Sequence, residues 1–121
     1  MLKSDFIIFV AHSPEAYKEA AKHMSSLYLC GHTHGGQIRL PFYDGPIITH
    51  SRAPRRTAGG LWKYGDMRGY TSSGVGTSGV PLRFNCPGEV VFLTLKKQDA
   101  LKLPRSSKNT VRGFFERHVD Y

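Results

Sequence analysis

Two histidines one residue apart, His32 and His34, lie in the string Leu29-Cys30-Gly31-His32-Thr33-His34-Gly35-Gly36-Gln37-Ile38. A third, His12, stands directly after the apolar run 6–11. Neutral imidazole nitrogens ligate Zn, Mn, Fe and related divalent ions, and a turn flanked by glycines can aim two of them at neighbouring positions. The glycines also admit backbone or substrate without an intervening side chain. A His-x-His pair by itself also arises when two rings stack on one face of a strand. The specificity comes from its setting, an apolar strand that breaks at Gly31 and a second strand-then-His unit upstream.

Those histidines need elements to hold them. Residues 6–11, Phe-Ile-Ile-Phe-Val-Ala, read as a strand buried on both faces, ending on His12. Ser13-Pro14-Glu15 supplies a helix N-cap, a proline at the first helical position and an acid in the first turn. The helix is expected to run through Ala16, Tyr17, Ala20, Ala21 and Met24, with Lys18, Glu19, Lys22 and His23 on the wet side. Residues 27–30 return as a second strand. The order strand, His, helix, strand, His-x-His is a β-α-β unit, whose strands are parallel, so the loops after both strands lie on one edge of the sheet. His12, His32 and His34 all fall in those loops, and the topology predicts three imidazoles on one rim.

Beyond Gln37 the texture changes to short strands separated by Gly, Pro and Ser. Residues 37–40 and 46–49 read as brief extended pieces, and 51–57 as a basic loop. Residues 60–64 and 69–73 read as strands around the Gly65-Asp66 turn, a hairpin. The run 74–79, Gly-Val-Gly-Thr-Ser-Gly, lacks the Gly-Lys-Ser/Thr ending of a phosphate loop and reads as a tight loop near a site. The last strand is expected over 88–95. The fold class is therefore α/β, one β-α-β unit followed by short, mainly antiparallel strands.

The chain has 121 residues and 40% hydrophobic content, enough for one modest core. Its longest apolar run is far short of the ~20 residues that a transmembrane helix needs, and the first residues lack the pattern of a signal peptide. The expected location is cytoplasmic or peripheral to a membrane. Cys30 and Cys86 are too few for a disulfide framework; Cys30 reads as a small buried hydrophobe, and a zinc site of Cys30, His32, His34 and Cys86 is a rival that lacks the usual Cys-x-x-Cys pairing. Of the formal net charge of +8, +4 falls in residues 96–121. Such a tail marks a solvated surface or a salt-sensitive attraction to phosphates.

The string 30–37 together with His12-Ser13-Pro14-Glu15 resembles the last two metal-binding motifs of the calcineurin-like metallophosphoesterases. Residues 73–89, Ser-Gly-Val-Gly-Thr-Ser-Gly-Val-Pro-Leu-Arg-Phe-Asn-Cys-Pro-Gly-Glu, resemble one bacterial branch of that family, the membrane-associated phosphodiesterases. The similarity runs from about Asp5 to Leu95. It implies part of a two-sheet sandwich with two divalent ions (Mn, Zn, Fe or similar) at the loop edge. His12 and His32 would ligate one ion and His34 its neighbour, with Thr33 a spacer. Arg39, Gly74 and Gly76 are candidates for substrate binding; for Arg39, as for Arg52, Arg55 and Arg56, a solvated loop charge is the commoner account.

The family's Asp-x-His, Gly-Asp-x-x-Asp and Gly-Asn-His-Asp/Glu motifs do not occur, and Gly65-Asp66, followed by Met67, Arg68 and Gly69, is not a displaced copy. Residues 1–95 are thus expected to form the C-terminal part of the domain, a truncated form, and 96–121 a basic tail with a short helix over 109–118. Three neutral histidines do not offset two dications. The isolated chain is expected to bind at most one ion weakly and to be inactive.

The function implied is hydrolysis of a phosphodiester or phosphomonoester by a two-metal-activated hydroxide, the substrate lipid-linked in the branch it resembles. Missing strands would leave a sheet face open to self-association. Nucleic acid is set aside as a partner in this reading. It returns in the alternative, an inactive basic module for nucleic acid or anionic membrane, with Trp62, Tyr64 and Tyr70 as stacking residues; their spacing fits one sheet face equally well, and core packing is the commoner role of such rings.

Overall fold

A computed structural model of the chain describes residues 6–42 and 51–96. Two compact units are distinguished, Met1–Val90 and Val91–Tyr121. In the first, the elements run β1 (Ile8–Val10), a 3-10 turn (Pro14–Ala16), α1 (Tyr17–Lys22), β2 (Leu27–Cys30), a 3-10 turn (His34–Gly36), a 3-10 turn (Arg55–Thr57), β3 (Gly60–Tyr64) and β4 (Met67–Thr71). The strands form one mixed sheet in the order β1-β2-β4-β3. β1 and β4 both pair parallel to β2, and β3 pairs antiparallel to β4. The expected α/β class, the β-α-β unit and the hairpin are all present.

Ser13 has the extended backbone of an N-cap but makes no side-chain cap bond, and Pro14 opens a 3-10 turn that leads into α1. The carbonyl of Ser13 is instead taken by the Tyr28 hydroxyl at 2.7 Å. The far end of α1 closes on Met24, whose φ is 55°. Met24 N–H donates to the Ala21 carbonyl and Ser25 N–H to that of Ala20, a Schellman turn in which methionine occupies the position usual for glycine. His23 lies exposed beside Glu19, as expected for the wet side of the helix.

The core lies between α1 and one sheet face, where Tyr17, Ala20, Tyr28, Trp62 and Met67 are buried together. Register puts Phe9, Tyr28, Gly69 and Trp62 in one row across the four strands. Gly69 is what makes that row possible: a Cβ there would stand 2.2 Å from the Trp62 ring, which fills the space. Phe9 stacks on Tyr28 with centroids 5.2 Å apart, and Tyr17 meets both Trp62 and Tyr64 edge-on. Contacts of this kind add about 0.5–1.5 kcal/mol each beyond the area they bury.

Three expectations are corrected. β1 is an edge strand, not one buried on both faces: Ile8 and Val10 are 42% and 72% exposed, and with Leu61 they leave the second sheet face apolar and partly open. Residues 37–40 form a single isolated bridge, Ile38 to Phe84, in place of a strand. Residues 88–95 form no strand. Glu89 is anchored by its side chain to Tyr70 and Ser73, and its N–H donates to Gly74 O at 2.9 Å. In the second unit the described residues 91–96 carry no helix or strand. The expected piece 46–49 and the tail helix 109–118 lie outside the described residues.

Candidate metal-binding rim

Backbone hydrogen bonds stitch together the ends of the three parallel strands. Ala11 N–H donates to Leu29 O (3.0 Å), Gly31 N–H to His12 O (3.1 Å) and Ser72 N–H to Cys30 O (2.8 Å). This places His12, His32 and the segment after β4 along one edge. The rings of His12 and His32 stand 4.6 Å apart between centroids, tilted by 53°. Two of the three expected imidazoles are therefore side by side.

His34 is held differently. Its Nδ1 lies 3.2 Å from the carbonyl of Gly76. Among the described residues, no cluster of three or more His, Cys, Asp or Glu side chains could hold a metal ion. Imidazole pairs suit Zn, Mn or Fe, so His12 and His32 fit a share of one ion's donors; a full ligand set is not formed by the described residues.

The turn bearing the histidines is wound in the left-handed region. φ is 73° at His32, 51° at His34, 60° at Gly35, 82° at Gly36 and 52° at Gln37. For a residue with a Cβ this conformation costs about 1–2 kcal/mol, so three side-chain-bearing residues must be held there by their surroundings. Thr33 supplies much of the hold. It is 2% exposed, its hydroxyl donates to Ala58 O at 2.6 Å, and it accepts from Gly35 N–H at 3.4 Å. The expected spacer is thus a buried pin.

Gly35 is required twice over. Beyond its positive φ, a Cβ would stand 2.8 Å from Cys86 Sγ and 2.9 Å from Ser73 Cβ. Gln37, 6% exposed, donates through Nε2 to Val80 O and accepts from Ser78 N–H, tying 78–82 to the turn.

The candidate substrate residues fall as follows. Arg39 donates from Nε to Gly35 O at 3.1 Å, and its guanidinium lies where a Cβ on Gly59 would be, so it braces the histidine turn. Gly74 has φ of 59°, and open space surrounds the Cβ positions of both Gly74 and Gly76. The carbonyls of Gly74 and Gly76 are taken up by protein donors, Arg83 among them. Arg83, Glu89 and Gln37 went unremarked in the sequence reading. Gln37 and Glu89 each follow a glycine directly, where backbone groups need side-chain partners; Arg83 carries no such local signal.

The zinc rival is corrected, and the aromatic residues follow the core-packing reading. Cys30 Sγ pairs with Thr71 Oγ1 at 3.1 Å, and burial raises its thiol pKa, an effect partly offset by that bond. Cys86 is buried against the carbonyls of His34 and Gly35. Trp62 and Tyr70 are 8% and 7% exposed, the indole N–H of Trp62 bonds Thr71 Oγ1 at 2.8 Å, and Tyr64 packs on Tyr17. Trp62 and Tyr70 are thus interior rings, while Tyr64 stays half-buried.

The described residues thus form an α/β sheet with two histidines side by side beyond adjacent parallel strands. The chain is 42% identical over 91 residues to YkuE of Bacillus subtilis, an uncharacterized metallophosphoesterase, a match covering 75% of this chain and 31% of that protein. It is 40% identical over 88 residues to the phosphodiesterase YaeI of Escherichia coli, covering 73% and 32%. A transmembrane protein with a metallophosphoesterase domain from Danio rerio is 32% identical over 98 residues, covering 75% and 20%. No family model and no solved structure matches. The chain belongs to the metallophosphoesterase family, matches the C-terminal part of its relatives and spans about a third or less of their length. Among the described residues no helix is long and apolar enough to cross a membrane.

Proposed function

We propose that this chain provides the C-terminal share of a phosphodiester-cleaving metal centre, with His12 and His32 on one divalent ion and His34 on its neighbour. The observation that carries the reading is the 4.6 Å approach of the His12 and His32 rings beyond adjacent parallel strands. Divalent ions at such a rim supply an acidified water and charge neutralisation for a phosphoryl group. The part of this chain is to present imidazole donors in fixed positions: the bonds among 11, 12, 29 and 31 set the two rings, and Thr33 sets the turn between His32 and His34. The open space at Gly74 and Gly76 supports approach of an anionic ester along the same edge.

Donors outside this chain complete the centre in this reading, so the chain alone binds at most one ion, weakly, and does not turn over. The exposed Ile8, Val10 and Leu61 support self-association of the chain by itself. The test is a chimaera in which this chain replaces the matching C-terminal part of YaeI, assayed on a generic aryl phosphodiester with Mn²⁺. Hydrolysis that falls at least about 100-fold in His32→Ala supports the reading. Full activity with His12, His32 and His34 all replaced by alanine, or brisk metal-dependent turnover by the 121-residue chain alone, overturns it.

A further inference from the structure

Arg83 lies outside the histidine turn in sequence and inside it in space. Its guanidinium donates from Nε to Gly76 O at 3.0 Å and from Nη2 to Ser73 O at 2.7 Å and Gly74 O at 3.1 Å, with Gly76 O a further partner of Nη2. Nη1 reaches His34 O at 3.4 Å and Cys86 O at 3.3 Å. A guanidinium carries five N–H groups in one rigid plane, and here five backbone carbonyls from three segments converge on it. Carbonyl dipoles gathered with their negative ends inward repel one another unless a cation sits among them. Arg83 is that cation.

One of those carbonyls has a second task. Gly76 O lies 3.2 Å from Nδ1 of His34, and a carbonyl oxygen only accepts. The contact is a hydrogen bond only when Nδ1 carries the proton, which leaves the lone pair of the neutral ring on Nε2. Whatever fixes Gly76 O therefore fixes both the tautomer and the direction of the His34 ring. Gly76 has open space around its Cβ position and belongs to a glycine-rich run, so its own chain does little to hold it.

We propose that Arg83 is the positioning residue of His34. It holds the Gly76 carbonyl against Nδ1 of that ring and at the same time holds the backbone carbonyl of His34, so that ring and main chain are set by one side chain. The inference rests on the reading that gives His34 a place in the metal centre, and it assigns to that place a partner remote in sequence.

The experiment is nitrogen-15 NMR of the imidazoles in the full chain at about pH 8, above the ordinary histidine range. Wild-type His34 is expected as the Nδ1-protonated tautomer. In Arg83→Gln its signals move to the averaged positions of an untethered imidazole, while those of His12 and His32 stay in place. Arg83→Lys keeps the charge but not the planar fork, and moves His34 in the same direction. Finding wild-type His34 protonated on Nε2 overturns the proposal without any variant. So does an unchanged His34 in a folded Arg83→Gln chain. The chimaera with YaeI separates the two readings: a His34→Ala change that leaves its Mn²⁺-dependent hydrolysis intact sinks the metal role of His34, while a tautomer shift in Arg83→Gln leaves the positioning role standing.

Discussion

Replacing Thr33 with valine tests whether the histidine turn is held from beneath. Valine matches threonine in shape, so the substitution opens no cavity. It removes a 2.6 Å donor to Ala58 O, a group on a residue that is fully buried, and a weaker 3.4 Å acceptor for Gly35 N–H. A buried polar group stripped of its partner costs about 1–3 kcal/mol, and weighting the short bond more heavily than the long one gives a loss of about 2 kcal/mol. For a domain of this size that lowers Tm by roughly 10 °C. Thr33→Ser keeps both bonds and loses one methyl, a cost of about 1 kcal/mol. The assay is urea unfolding followed by the fluorescence of the single tryptophan, Trp62, which lies in the core. A valine variant within about 0.5 kcal/mol of wild type would refute the reasoning, since that is the scatter of neutral surface changes. A serine variant as unstable as the valine one would refute it too, because the hydroxyl would then not be the group that matters.

Gly35→Ala should cost about 2 kcal/mol or more in the same assay, from positive φ together with overpacking against Cys86 and Ser73; Cys86→Ala in that background should recover only the steric share. Gly69→Ala places a Cβ inside the Trp62 ring and should red-shift the tryptophan emission as the ring is displaced. Burial lifts the Tyr28 phenol from 10.0 to about 12; the unfolded chain then ionises first as pH rises, so this contribution to stability is complete below pH 10 and is lost towards pH 12. The stability curve of Tyr28→Phe should accordingly fall less over that interval. Cys30, raised by burial, should react more slowly with iodoacetamide at pH 8.5 in the folded chain than in urea.

Local pattern was enough to read the β-α-β unit, because strand, proline-started helix and returning strand each carry their own signal, and parallel pairing then puts His12 and His32 together. It was also enough for the β3–β4 hairpin around Gly65-Asp66. What it did not carry was coverage. The six-residue apolar run 6–11 has the composition of a central strand, yet its β1 core is an edge, because composition records what a face prefers to meet and not whether a neighbour is present. Residues 88–95 likewise have the apolar composition of a strand, yet they form none: Glu89 lies beside Tyr70, Ser73 and Gly74, and the run joins no ladder of the described sheet. The convergence of Thr33, Gln37 and Arg83 on backbone groups of distant loops has no periodicity at all.

The props under the histidine turn come from far along the chain. Thr33 reaches forward 25 residues to Ala58, His34 reaches 42 to Gly76, and the Cys86 thiol lies 52 beyond His34. Both neighbours of β2 are parallel, so neither can close as a tight hairpin. Folding of this kind is slow, since long loops must close before the contacts they enable are formed. As the chain emerges from a ribosome the histidines precede their supports, which leave the exit tunnel much later. The imidazole rim is therefore among the last features of this region to take shape, and a nascent chain does not yet present the His12 and His32 rings side by side.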